Sequence, residues 1–542
     1  MPNESNRIQQ LHIVISRVQT WLFAAPRLRA MVGANALLGE TLRCKLPELA
    51  REVGRGWELS PTPSRELFPK AEPNDPLNDN QDPNVHDDPA ADASIGILAR
   101  DGGHFEALFK NGAEAFADEA GRLLRSNLPG LRFSISIDGE RHGRSQNLVP
   151  KELPVLAPCQ WMGRGLASNV VSQGNKADKD YEVHEVSIDA KQRHEAATRA
   201  EKWQTKDVAS VLGSWTALKE LKRPQEFQEL VGDGYLALIH ADGNEVGTGL
   251  RNNKSENQRA EFYQRAEFYH RNRVLLRRAV AEAINCACEK DKPRRTREEE
   301  SAKTNGREPE IFAPLIPLML GGDDLLMVTR AETALPFVVE LCAELKALQD
   351  NVDATDFKLT LGVGVVIAKH TIPIHRLHEV AEQLASSAKR RYRGLDADKK
   401  CSVVDWAVFT TAWVDDPAEV RRRNWLRGSE NSLRILSQRP LDVLGEQRVD
   451  ALQGLVKGAQ QLADAPRSQL RYLVEQLRHG RALSELAFEE LPPEVKDLLD
   501  KAGMKELWRP AGNASITALL DLVEVSEISR LGRNTEEEGA HV

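Results

Sequence analysis

Residues 314–328 read PLIPLMLGGDDLLMV, two short apolar runs on either side of Gly321-Gly322-Asp323-Asp324. Runs of this length bounded by turn residues read as strands, and the glycine pair joins them in a tight hairpin with two carboxylates at its tip. Upstream, residues 235–247 read YLALIHADGNEVG, an apolar strand that closes on Asp242 beside a glycine. A helical pattern over about 256–289 lies between the two. Downstream come a helix over 332–349, a strand over 358–367, a helix over 374–391 and a strand over 402–409. Strand, helix, strand, strand, helix, strand is the split βαβ order of a ferredoxin-like domain.

The same order recurs nearer the N-terminus. LHIVIS at 11–16 is a strand, 18–49 a long, broken helical stretch and SIGILA at 94–99 a strand. A Gly102-Gly103 turn, a strand over 105–109, a helix over 113–126 and a strand over 131–137 complete it. Two such units in one chain point to a structural duplication. Residues 59–92, rich in Pro, Asn and Asp (EPNDPLNDNQDPNVHDDP), hold no apolar period and read as a solvated, disordered loop. The charged insert at 289–310 also reads as a solvated loop. Residues 151–230 mix loop with a helical stretch near 190–221. After Asp415 the pattern is helical, as in SQLRYLVEQLRHGRALSELAFEEL, with a strand expected only at 522–525. The fold class is therefore α+β: a first ferredoxin-like (βαββαβ) domain over 1–150, a connector over 151–230, a second over 231–412 and a C-terminal helical domain over 413–542.

Composition narrows the function classes. The chain has 542 residues, 73 Lys+Arg against 81 Asp+Glu and a net charge of −8, which argues against coating nucleic acid by bulk charge. No apolar run reaches the roughly 18 residues of a membrane span, and residues 311–320 are interrupted by Pro314 and Pro317. The first residues, MPNESNRIQQ, lack a signal-peptide layout, and six cysteines are too few for a disulfide framework. These features predict a cytoplasmic protein with no membrane partner.

The chemistry points to the acidic strand ends. With the two central strands as neighbours, Asp242, Asp323 and Asp324 converge at one end of the sheet. Hard divalent cations with phosphate ligands ask for such a set, since Mg²⁺ takes one or two carboxylates and fills its shell with substrate oxygens. Two such ions can activate a hydroxyl and steady a leaving pyrophosphate. Exposed amides at Gly321 and Gly322 leave room for a phosphate. Lys389, late in a basic helix (EQLASSAKRRYRG), can meet a triphosphate. On its own a GGDD turn is usually just a hairpin, and Lys389 reads equally well as a solvated lysine.

The stretches YLALIHADGNEVG, PLIPLMLGGDDLLMV and TIPIHRLHEVAEQLASSAKRRYRG (371–394) resemble the second palm domain of the large subunit of type III CRISPR effector complexes, a polymerase–cyclase relative with GGDD as its signature. ISRVQTWLFAAPRLRAMVGANALLGE (15–40) and SIGILARDGGHFEALF (94–109) are similar to that family's inactive first palm. The resemblance implies a palm that joins ATP through 3′–5′ bonds into cyclic oligoadenylates for antiviral defence. It implies Asp242, Asp323 and Asp324 as ligands of two Mg²⁺ or Mn²⁺ ions and the Gly243 carbonyl as a further ligand. Asn244 would lie near base or ribose, and Gly321, Gly322 and Lys389 near phosphate. The implied partners are ATP, with other nucleoside triphosphates left open, subunits of a guide-RNA complex or a second copy of the chain, and a downstream nucleotide-activated effector.

Departures from the family pattern are specific. The first palm starts near residue 11, which leaves no room before it for the histidine–aspartate nuclease domain of larger members. The one His-Asp pair, His86-Asp87, lies in the Pro/Asn loop. Where relatives carry a zinc ribbon, APCQWMGRGLA (157–167) has Cys159 but Met162 at the partner position, so no zinc is expected, four N/S ligands being needed. Cys286 and Cys288 read as packed or idle. Asn244 stands where many relatives have a second acid, and in the first palm His104 and Phe105 replace the two carboxylates. LGVGVVIA (361–368) is a strand and a weak dinucleotide candidate. RAEFYQRAEFYH (259–270) reads as a helix with a packed aromatic stripe in preference to a nucleic-acid platform. Two alternatives stay open: a catalytically silent RNA-sensing or structural subunit, and a GTP-using dinucleotide cyclase, although Leu325 is not the Phe of a GGDEF signature.

Overall fold

A computed structural model describes the chain apart from residues 1–7, 62–91, 93, 101–102, 144–156, 164, 174–181, 202, 204–207, 248–257, 307, 351–356, 410–415, 429–432, 446–448 and 538–542. His86-Asp87, Asp101, Gly102 and nearly all of the expected loop therefore lie outside the described residues. Two compact units emerge: 1–229 with 245–281 and 295–324, and 230–244 with 282–294 and 325–542.

The first unit carries β1 (Gln9–Ser16), α1 (Leu28–Glu40), β2 (Glu58–Leu59), β3 (Ile97–Ala99), β4 (His104–Asn111), α2 (Ala113–Asn127), β5 (Arg132–Ile137) and β6 (Glu140–His142). Its sheet runs β2-β4-β1-β5-β6, with β3 also on β4. Counting β1, β3, β4 and β5 as first to fourth, the order is second-third-first-fourth, as in a ferredoxin-like sheet. β1 alternates, burying Leu11, Ile13 and Ile15 while Gln10, His12 and Val14 stay half-exposed. That period of two marks a sheet packed hard on one face.

The connector contains a hairpin absent from the sequence reading, β7 (Asn169–Gln173) with β8 (Glu182–Val186), followed by α3 (Ile188–Ala200). Cys159 is fully buried with Trp161, Val171, Val186 and Ala190, and Met162 packs against them. Cys159 and Met162, the two positions singled out in the sequence, thus share one apolar cluster.

The second sheet is built from β9 (Tyr235–Gly243), β10 (Leu315–Leu320), β11 (Asp324–Arg330), β12 (Leu361–Lys369) and β13 (Val403–Phe409). Between β9 and β10 lie α4 (Gln258–Lys290) and α5 (Lys292–Thr304); α6 (Ala331–Asp350) follows β11 and α7 (Ile374–Arg393) follows β12. α5 corrects the solvated loop expected at 289–310. None of its residues is buried, yet Arg, Glu, Lys and Ala are strong helix formers, and Pro293 sits early in the helix where its missing N–H costs nothing. The aromatic repeat and both Cys286 and Cys288 lie on α4. The strand order β10-β11-β9-β12-β13 repeats that of the first sheet and adds the parallel pair β12–β13. Together the two sheets make an α+β chain of ferredoxin-like palms with helical parts.

The C-terminal region is not wholly helical. β14 (Leu426–Arg427), β15 (Leu433–Ile435), β17 (Arg509–Ala511) and β18 (Ala514–Ile516) form a small sheet, and β16 (Leu441–Asp442) pairs with β13. Strands of two or three residues are too short to leave a period in the sequence. The strand expected at 522–525 is part of α8 (Leu519–Glu537), where Leu519, Leu522, Val523 and Ile528 recur at helical spacing and are buried. Arg439 ties α8 to β13. Its guanidinium lies 4.5 Å from the Trp406 ring centroid and 4.2 Å from that of Trp425, and pairs with Asp521 at 3.0 Å and Glu524 at 2.6 Å. Burial pushes both carboxyls above their usual range while Arg439 draws them back. No helix among the described residues is long and apolar enough to cross a membrane.

Candidate active site

β9 is buried along almost its whole length: Leu236, Ala237, Leu238, Ile239 and Ala241 are each at most 1% exposed. Only a strand covered on both faces reads as a continuous apolar run, and α6 and α7 both pack on it. The run breaks at Asp242, whose half-exposed carboxylate is thereby set at the strand end.

What faces Asp242 is decided on β12. Gly362 stands opposite Asp242 and Gly364 opposite His240. A Cβ on Gly364 would fall 2.1 Å from the Ala381 carbonyl oxygen, so this glycine is what lets α7 lie so close on the sheet. A Cβ on Gly362 would fall 2.6 Å from Lys389 Cγ and 3.2 Å from Asn244 Oδ1. The lysine stem therefore crosses the cleared surface of Gly362, and its ammonium donates to Asp242 Oδ2 in an ion pair. The two glycines of LGVGVVIA serve helix packing and this crossing; the stretch is strand β12, as expected, and its glycines are buried in sheet contacts.

Asn244 follows in the same corner. Its backbone N–H donates to the Thr360 carbonyl at 2.8 Å and its Nδ2 to Thr360 Oγ1 at 3.1 Å. The residue is 2% exposed, and Oδ1 meets no donor among the described residues. A buried amide oxygen left in that state costs about 1–3 kcal/mol unless something donates to it. Gly243, between the two, pairs with Leu361. α7 ends in Arg390, Arg391 and Arg393, cations at the negative end of the helix dipole, and Arg391 bonds Asp442 at 3.0 Å.

The GGDD turn joins β10 to β11 as expected, with the Gly321 N–H donating to the Asp324 carbonyl at 2.7 Å. Neither central residue is left-handed, so Gly322 is not required by a positive φ. Instead, a Cβ there would meet nothing within 4 Å among the described residues, so the glycine keeps open space beside the turn. Asp323 and Asp324 are half-buried. By contact the turn up to Asp324 belongs to the first unit, whereas Asp242, Gly243, Asn244 and Lys389 belong to the second. Those last four are the predicted site residues brought together within one unit. The sequence reading missed Thr360, Gly362 and, on the same helix–strand seam, His240, His378 and Glu382. The alternating glycines of LGVG were the available signal for that seam.

Comparison with known proteins adds a family. Residues 235–397 match the profile of the Cas10/Cmr2 second palm domain. No curated protein matches the chain. Among solved structures, a Csm1-Csm4 cassette in complex with cA3 matches with a TM-score of 0.44 at 12% identity, over 96% of this chain and 70% of that one. The same cassette with one ATP gives 0.43 at 12%, over 97% and 70%. Csm1 of T. onnurineus gives 0.39 at 12%, over 97% and 69%. Likeness at that level carries no argument about chemistry. The profile match covers residues 235–397, well under half of the chain, and is to the second palm domain of Cas10/Cmr2.

Proposed function

We propose that this palm is a nucleotidyltransferase that joins ATP through 3′–5′ phosphodiester bonds into a cyclic oligonucleotide, a second messenger of antiviral defence. The observation that carries the reading is the corner of Asp242, Asn244 and Lys389 over Gly362, inside the segment matched by the family. The corner offers a carboxylate, an ammonium and a buried amide acceptor within a few ångströms. Asp242 already pairs with a cation and offers the hard oxygens that a divalent ion asks for, and the half-buried Asp323 and Asp324 sit on a turn with open space at Gly322. The residues that would hold two Mg²⁺ or Mn²⁺ ions are Asp242, Asp323, Asp324 and the Gly243 carbonyl. Bound there, such ions supply activation of a ribose hydroxyl and neutralisation of the leaving pyrophosphate.

The chain's own residues do the positioning. In the ligand-free protein Lys389 neutralises Asp242 and keeps that carboxylate aimed at the strand end. When a triphosphate arrives, the ammonium moves from carboxylate to phosphate, a short swing of the terminal carbons because the stem is laid across Gly362. Asn244 Oδ1, held by the two Thr360 contacts, accepts from a base amino group or a ribose hydroxyl. The open space at Gly322, next to Gly321 on the turn, admits a phosphate. Phosphoryl transfer depends almost wholly on such positioning and charge neutralisation. The partners proposed are ATP first, other nucleoside triphosphates second, guide-RNA complex subunits or a second copy of the chain, and a nucleotide-activated effector, all cytoplasmic.

The test is incubation of purified protein with ATP and Mg²⁺ or Mn²⁺, products resolved by mass, and GTP as competitor. Cyclic or linear oligoadenylate supports the reading. A guanine-containing dinucleotide would make the palm a different cyclase. Nucleotide binding without product, in the presence of a guide-RNA complex as well, would make it a silent subunit.

A further inference from the structure

Behind the Asp242–Lys389 pair, the seam between β9 and α7 gathers three side chains of another kind. His240 precedes Asp242 by two residues and so faces the same side of β9. His378 and Glu382 lie one turn apart on α7, a spacing that puts both on one helix face. One ligating atom from each lies within 4.8 Å of the others, and among the described residues no other three His, Cys, Asp or Glu side chains meet in this way. The imidazole rings stack at 5.7 Å between centroids with 25° between planes, and His378 Nε2 is 3.9 Å from Glu382 Oε1. Both histidines are buried, at 7% and 6% exposure, while Glu382 is exposed. Gly364 stands opposite His240, so β12 adds no side chain at that register position.

We infer that His240, His378 and Glu382 form a binding site for one zinc-class divalent ion, with a fourth position left to water. Two imidazoles and a carboxylate are a borderline-soft set that suits zinc or cobalt and is a poor match for magnesium. Tetrahedral zinc at about 2.1 Å from its ligands spaces their atoms roughly 3.4 Å apart. Closing from 4.8 Å takes at most about 1.4 Å, and the exposed carboxylate of Glu382 is the group able to move inward. An ion there would pin α7 to β9 between the strand that carries Asp242 and the helix that carries Lys389. The site does not depend on nucleotide chemistry.

The experiment uses the full chain, stripped with chelator and titrated with Zn²⁺ by calorimetry and with Co²⁺ by visible absorption, both in excess Mg²⁺. The wild type should bind one equivalent, give the intense d–d band of tetrahedral cobalt and gain a concentration-dependent rise in Tm. Glu382→Gln, a surface change that should not disturb folding, should weaken binding by about tenfold or more. His378→Gln should remove the band, and Asp242→Asn should leave it unchanged. No zinc or cobalt binding by the wild type would overturn the inference. So would wild-type binding in both Glu382→Gln and His378→Gln, or loss in Asp242→Asn with the seam variants unaffected.

Discussion

In the first sheet, β1 ends in an exposed Ser16 opposite Arg132, and its half-exposed residues make lateral polar contacts. His12 Nε2 lies 3.1 Å from His104 Nδ1, and the Gln10 amide donates to Glu106. In the second, β9 ends in Asp242 opposite Gly362 and is buried on both sides. The strand orders agree, so connectivity accounts for the contrast. β5 turns directly into the hairpin strand β6, whereas β12 continues through α7 to the parallel strand β13. A helix laid on the second face turns a surface strand into a buried one. It also brings Lys389, His378 and Glu382 to a strand that would otherwise end in water. On this view a palm becomes a candidate catalyst by gaining a covered face with one bare crossing at Gly362, as much as by gaining carboxylates.

The contrast breaks first at the carboxylates. Asp242→Asn and Asp323→Asn should each lower nucleotide synthesis by about a thousandfold or more, because positioning and charge neutralisation are lost together. Asp323 is expected to be the more direct ligand and Asp324→Asn the milder change. Without metal, thermal unfolding should barely move, since the Asp242–Lys389 pair is partly exposed to solvent and Asp323 is half-buried. Ser16→Ala and His104→Ala in the first palm should leave synthesis unchanged, and a large loss there would end the division of labour. Product yield by mass and calorimetric unfolding measure both sides.

The crossing comes next. Gly364→Ala must push α7 off β12, because the obstacle is backbone, and should destabilise the second unit by about 3 kcal/mol in urea unfolding. Gly362→Ala meets the lysine stem instead, and should cost about 1 kcal/mol while reducing synthesis as far as Lys389→Met does, by about a hundredfold. Stability like wild type together with full activity in Gly362→Ala would show that Lys389 needs no path over β12.

The smallest effect is in the first unit. His194 on α3 is held down to about 4, chiefly by burial and then by Arg29. Its folded pKa lies below the unfolded value of 6.5, so folding favours the neutral ring. The stability this gives is full above pH 6.5 and is lost as pH falls toward 4. His194 is partly solvated, so the slope should stay well under the limit of about 1.4 kcal/mol per pH unit. Subtracting the unfolding free energies of His194→Gln from those of wild type at pH 7 and 5 isolates the effect, and an unchanged difference would refute it.

Much of this molecule follows from the amino-acid order alone. The hairpin of PLIPLMLGGDDLLMV, the buried run of YLALIHA ending at Asp242 and the amphipathic α7 are local facts, written by strand length, turn residues and helical period. Strands of two or three residues in the C-terminal region, the β7–β8 hairpin and the exposed helix α5 were not legible, because each depends on partners distant in sequence or on propensity without a buried face. The site divides in the same way. Asp242, Asp323, Asp324, Asn244 and Lys389 could be singled out as residues, but nothing local says that Lys389 bonds Asp242 across 147 positions, or that His240 stacks on His378. The sequence reading weighed zinc only at cysteines and expected none at Cys159, whereas the zinc-class site proposed above draws on imidazoles from a strand and a helix. Those meetings are decided by register: β12 sets Gly362 against Asp242 and Gly364 against His240, and two missing side chains let α7 close on the sheet.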